Sequence, residues 1–129
     1  MDCWLPFMTD THIEVLFAAM PTDNFQSVHR DVEPARAEVD ALRGVSVVEF
    51  GAPWCPICQA AQSNIQSVIR AHPNIEHIKI EDGSGRPLGR SFRIKLWPTL
   101  VVLKDGVEVS RVVRPTDASE IQAALSKAV

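Results

Sequence analysis

Two cysteines, Cys55 and Cys58, stand at the seam between a strand-forming run and a helix-forming run. Val45 to Phe50 is compact and rich in β-branched residues, the composition of a strand buried on both faces. Gly51-Ala52-Pro53-Trp54 breaks that run. A helix is predicted from about Cys55 to Ala71, with Ile57, Ala61, Ile65, Val68 and Ile69 on its apolar side and His72-Pro73-Asn74 as its stop. A doubly buried strand that feeds a helix needs a sheet covered on both sides, which confines the fold to the α/β class. The junction also sets the chemistry. Thiolate is the attacking form of cysteine, and a helix N-terminus favours negative charge. The second cysteine falls about one helical turn from the first, within reach of a disulfide. Cys55 is therefore predicted to attack a substrate disulfide, and Cys58 to resolve the mixed disulfide.

The rest of the chain extends this unit. Residues 1–21 read as an N-terminal extension with a possible short helix behind Thr11, and residues 22–129 as one domain. Phe25 to His29 reads as a short strand, and Glu33-Pro34 opens a helix that ends at Arg43-Gly44. Ile75 to Ile80 reads as a strand, residues 82–90 as a loop, and Leu88 to Phe92 as a short helix. Thr99 to Leu103 is a strand, Asp105-Gly106 a hairpin turn, and Val107 to Val113 the returning strand. Thr116 is the expected N-cap of a last helix with Ile121, Leu125 and Ala128 on its buried side. The resulting order is β-α-β-α-β-α-β-β-α, a mixed central sheet flanked by helices on both faces.

Other functions are poorly supported. A net charge of −3 without a basic stripe argues against nucleic-acid binding. No run of 18 apolar residues suggests a membrane span. No Lys or Arg precedes Arg30, which disfavours a secretory signal, so a cytoplasmic location is expected. The third cysteine, Cys3, is read as a free thiol, because three cysteines do not make a disulfide framework. Two close cysteines fall short of the four ligands of a tetrahedral metal site, and His72 and His77 lack the spacing to complete one. His12 and His29 are isolated, and His77 reads as a strand-face histidine. No metal and no cofactor are expected.

The segment Val48-Glu49-Phe50-Gly51-Ala52-Pro53-Trp54-Cys55-Pro56-Ile57-Cys58 resembles the active-site segment of the thioredoxin family. Trp97-Pro98-Thr99-Leu100 resembles the family's cis-proline segment, and Lys104-Asp105-Gly106 its hairpin. Together these cover roughly residues 22–129. The resemblance implies a thioredoxin-like fold and a protein-disulfide oxidoreductase that holds no cofactor. By the same resemblance it would act on disulfide-bearing proteins and be reduced by a flavin-dependent reductase, and a monomer is expected. It also implies a cis Trp97–Pro98 bond, with the Trp97 backbone pairing with substrate beside Cys55. Trp54, Pro56, Ile57, Trp97, Pro98, Thr99 and Arg114 would form the substrate face. Glu49 would be a buried acid assisting proton transfer, with Lys79 as its partner, and burial would disfavour its ionised form. The alternative is a binding or chaperone-like module with a specialised partner. The sequence departs from the family pattern at several points. Pro56-Ile57 replaces the usual Gly-Pro, and Gly51 replaces an aromatic residue. Gln59 replaces a lysine, Trp97 a smaller aliphatic residue, and Arg114 a glycine.

Overall fold

The computed structural model describes residues 23–129. The readings made for the N-terminal extension, its helix and Cys3 lie outside them. The elements are α1 (Arg36–Asp40), β1 (Val45–Gly51), α2 (Pro56–Arg70), β2 (Glu76–Glu81), α3 (Pro87–Ser91), β3 (Thr99–Lys104), β4 (Val107–Val113) and α4 (Ala118–Leu125). The four strands form one sheet in the order β2-β1-β3-β4. β1 runs parallel to β2 and antiparallel to β3, and β3 and β4 form the expected hairpin. Asp105 and Gly106 turn it with φ of 50° and 79°, the left-handed pair that a two-residue hairpin requires.

Side-chain alternation divides the core into two. Val47, Leu100 and Val102 meet Ile65 and Ile69 of α2 and Ile121 and Leu125 of α4 on one face. Val48, Phe50, Ile78, Ile80, Val101 and Leu103 meet Val39, Leu88 and Phe92 on the other. Each large aliphatic side chain so buried contributes about 1.5–3 kcal/mol. This is the α/β architecture expected, with the dithiol at the C-terminal end of a central strand.

The first expected strand does not form. Arg30 makes one isolated bridge to Ile80, with its N–H bonded to the Lys79 carbonyl at 2.9 Å. Side chains take the place of a ladder in the segment before it. Asn24 Nδ2 donates to the carbonyls of Ile69, His72 and Ile75, and the Gln26 N–H goes to His77 Nδ1 at 2.9 Å. α1 is shorter than expected, and Pro34 lies ahead of it rather than in its first turn. The N-cap of α4 is Asp117, not Thr116: Asp117 Oδ1 accepts the Glu120 N–H at 3.0 Å. Glu120 Oε2 reaches back to the Asp117 and Thr116 N–H groups, so Thr116 supports the cap from one residue upstream. No helix among the described residues is long and apolar enough to cross a membrane.

Candidate active site

Cys55 is the N-cap of α2, and Pro56 occupies the first turn, where a missing N–H costs nothing. The Cys58 N–H donates to Cys55 Sγ at 3.2 Å. The end of the helix thus presents both its dipole and a donor to one sulfur. Cys58, one turn deeper, is 3% exposed. Its thiol is pushed up to about 12, first by burial, then by its hydrogen bond to Cys55 and by the negative charge of Cys55 and Glu49. The two sulfurs are chemically unequal: one at a helix terminus built for an anion, the other held as a thiol. Both are free cysteines.

Glu49 lies on the α2 side of β1 and is fully buried. The parallel register places Lys79 opposite it and His77 opposite Val47, on the same face. His77 Nε2 donates to Glu49 Oε1 at 2.8 Å. The tautomer follows from the other ring nitrogen, which accepts the Gln26 N–H and so leaves the hydrogen on Nε2. Gln62 Nε2 donates to Glu49 Oε2 at 2.8 Å and to the Cys58 carbonyl at 2.9 Å. Lys79 Nζ donates to Gln62 Oε1 at 2.6 Å and lies 3.8 Å from Glu49 Oε2. Burial pushes the Glu49 carboxyl up, but the His77 bond, the Lys79 charge and the Gln62 bond outweigh it and hold it below the ordinary value. The expected preference for the neutral form is thus reversed by two donors and one nearby cation on a single carboxylate.

The Trp97–Pro98 peptide bond is cis. Trp97 packs against the Cys55–Cys58 cluster and meets Trp54 edge-on, with ring centroids 5.5 Å apart. Asp82 Oδ2 accepts the Trp97 indole N–H at 2.9 Å and fixes the ring. Trp54 is 68% and Ile57 43% exposed, which leaves an apolar rim beside the sulfurs. Arg114 Nε donates to the Trp97 carbonyl at 2.9 Å, and the Arg114 N–H to that of Pro98 at 2.8 Å. Arg114 has φ of 49°, a conformation that favours glycine. Thr99 is buried and turns its hydroxyl to the Leu96 carbonyl at 2.6 Å.

The structure therefore gathers Cys55, Cys58, Trp54, Pro56, Ile57, Trp97, Pro98 and Arg114 at one end of the sheet. Glu49 and Lys79 lie behind it, and Thr99 faces inward. Sequence reasoning missed Gln62, His77 and Asp82. Gln62 lies one helical turn after Cys58, and His77 two residues before Lys79. Those spacings were the available signal.

A reduced dithiol at the N-terminus of a helix, facing a cis-proline on a mixed sheet, defines a thioredoxin-like redox domain. The family model described as Thioredoxin matches residues 22–127, and the chain belongs to that family. It is similar to thioredoxin 2 from Pseudomonas aeruginosa PAO1, solved in its reduced form. There the TM-score is 0.72 at 50% identity, covering 81% of this chain and 97% of that one. A thioredoxin of Chlamydia muridarum is 32% identical over 85 residues, 65% of this chain and 82% of that one. Thioredoxin-2 of Pyricularia oryzae is 32% identical over 76 residues, 57% of this chain and 44% of that one. The chain thus spans less than half the length of this fungal relative, and 58% of a thioredoxin H-type of Fagopyrum esculentum.

Proposed function

We propose that the protein is a thiol–disulfide oxidoreductase that reduces protein disulfides by dithiol–disulfide exchange. The observation that carries this reading is the inequality of the two sulfurs across one helical turn. Cys55 Sγ, as thiolate, attacks a substrate disulfide. The first substrate sulfur leaves, and a Cys55–substrate disulfide forms. Cys58 then loses its proton and attacks Cys55 Sγ, which releases the second substrate sulfur and closes the Cys55–Cys58 disulfide. Two electrons pass to the substrate. A flavin-dependent reductase returns them, and the domain at residues 22–129 works as a cytoplasmic monomer beyond an extension at residues 1–21.

Trp54, Ile57, Trp97 and Pro98 form the apolar rim on which an extended substrate chain lies. Arg114, tied to the Trp97 carbonyl through Nε, keeps its remaining N–H groups for a substrate carboxylate. Glu49, with Lys79, keeps a fixed negative charge behind Cys58. Burial first, and then the Cys55 contact and that charge, hold the resolving thiol protonated. Insulin reduction tests the reading. Cys55→Ser abolishes turnover, and Cys58→Ser accumulates a substrate-linked species stable to alkylation but released by dithiothreitol. Full turnover by Cys55→Ser would sink it.

A further inference from the structure

A thiol held near 12 needs a base before it can resolve a mixed disulfide at neutral pH. Glu49 is poorly placed for this, because His77 and Gln62 already occupy its two oxygens. A second group lies beside Cys58 on another side. Gly51, where the family resemblance leads one to expect an aromatic residue, carries no side chain. A Cβ built there would stand 2.8 Å from Cys58 Sγ and 3.9 Å from His29 Nε2. Both atoms therefore face the same small space above Gly51. His29 Nε2 is buried and has no hydrogen-bond partner among the described residues. An open cleft of about 410 Å³ runs along this space, with Cys58, His29, Gln62, Lys79 and Glu81 among its lining residues.

We propose that His29 is the proton acceptor of the resolving step, taking the Cys58 proton across the space that Gly51 leaves open. The inference rests on the oxidoreductase reading and assigns it a base. The Cys58 S–H proton passes to His29 Nε2 through water in the cleft. The Cys58 sulfur then forms its bond to Cys55 Sγ as the Cys55–substrate bond breaks. The substrate sulfur leaves with the bonding pair and ends as a thiol when it takes up a proton, so two electrons reach the substrate and His29 returns its proton to solvent.

The charges around His29 suit this role. Burial, and then the positive charge of Lys79, hold its pKa below the ordinary histidine value, while Glu49 and Glu81 pull the other way. Asp31, on its own segment, and Cys58, on α2, complete the titratable groups lining that cleft. The imidazole is therefore the free base at neutral pH, and the negative charges of Glu49 and Glu81 offset part of the Lys79 charge when the imidazolium forms.

The test uses reduced protein and 5,5′-dithiobis(2-nitrobenzoate) in a stopped-flow instrument. Each turnover releases two nitrothiobenzoate ions: one on attack by Cys55, one on resolution by Cys58. In His29→Gln and His29→Ala the first release keeps its rate, and the second slows about a hundredfold or more at pH 7, the lower end of what a positioned general base contributes. The wild-type second release levels off once His29 is neutral, whereas in both variants it keeps rising with pH. Imidazole added to His29→Ala restores the second release, and thermal unfolding confirms that both variants are folded. A second release unchanged in rate and pH profile in both variants overturns the role of His29. Failure of the wild type to give any second release overturns the oxidoreductase reading itself, and this one with it.

Discussion

Replacing His77 by Phe tests the polar cluster behind the dithiol. The phenyl ring is somewhat larger than the imidazole and keeps its stack on Phe25, whose ring centroid lies 5.2 Å away. It leaves no cavity, and its overpacking cost, about 1–3 kcal/mol, is the same at every pH. The Gln26 N–H that loses its acceptor belongs to an exposed residue and turns to water. What remains is the loss of one of the two short hydrogen bonds to a buried carboxylate. A hydrogen bond to a charged group is worth about 1.5–3 kcal/mol. With His77 donating from Nε2 while its Nδ1 accepts from Gln26, and with Gln62 and Lys79 still holding the other oxygen, that range is the charge-dependent loss at pH 7. In the wild type the Glu49 carboxyl is depressed in the folded state. It contributes stability above the ordinary glutamate value, and that stability is lost as pH falls through the folded value. Without the His77 bond, only the Lys79 charge and the Gln62 bond oppose burial, so the carboxyl rises relative to the wild type. The variant therefore keeps less of the stability that the wild type holds above the ordinary glutamate value. The gap between the two proteins is widest at pH 7 and narrows to the packing cost as Glu49 becomes protonated in both. Urea unfolding at pH 7 and at about pH 3 measures it, with Glu49→Leu as the background in which only the packing cost of His77→Phe remains. A deficit of the same size at both pH values, or one below about 1 kcal/mol at pH 7, would refute the charge argument.

Two further outcomes follow from the site. Gly51→Ala forces a methyl group onto Cys58 Sγ. It should cost about 1–3 kcal/mol by thermal unfolding of the reduced protein, and an unchanged Tm would mean that the sulfur yields freely. Arg114→Gly removes a side chain from a left-handed backbone position and frees the Trp97 carbonyl. Stability should rise by about 1 kcal/mol. The ratio of kcat/KM for a disulfide peptide with a flanking Asp to that with Asn should fall, and an unchanged ratio would remove Arg114 from substrate choice.

The legible parts of this fold are those written in short-range spacing. The dithiol follows from a strand-breaker-helix sequence within 15 residues, and Asp105-Gly106 names its own turn. β4 keeps the predicted bounds, because both its ends are set by local chemistry. Asp117 and Thr116 are both competent caps, and the choice between them depends on where Glu120 reaches. Phe25 to His29 has the composition of a strand, yet Asn24, Lys79 and His77 satisfy its surroundings through side chains. The Glu49 cluster was half visible. A carboxylate in an apolar strand announces itself, and Lys79 was legible by resemblance. His77 and Gln62 become its partners only through the β1–β2 register and the rotation of α2, neither of which is local. Asp82 reaches Trp97 across 15 positions of chain, for the same reason.

The segment that fails to become a strand still lies along β2, through the Arg30 bridge and the Lys79 and His77 contacts. That side of the sheet is thereby occupied. β4, the other outer strand, alternates half-buried and exposed residues, with Val107 and Val113 open to solvent and Arg111 paired to Glu108. Among the described residues the sheet is thus open on one side. Polymerisation by strand pairing requires two free sides per copy, one to receive and one to offer. A body with one free side has valence one: β4 meeting β4 of a second copy across a two-fold axis uses up both, and strand-by-strand growth stops at two.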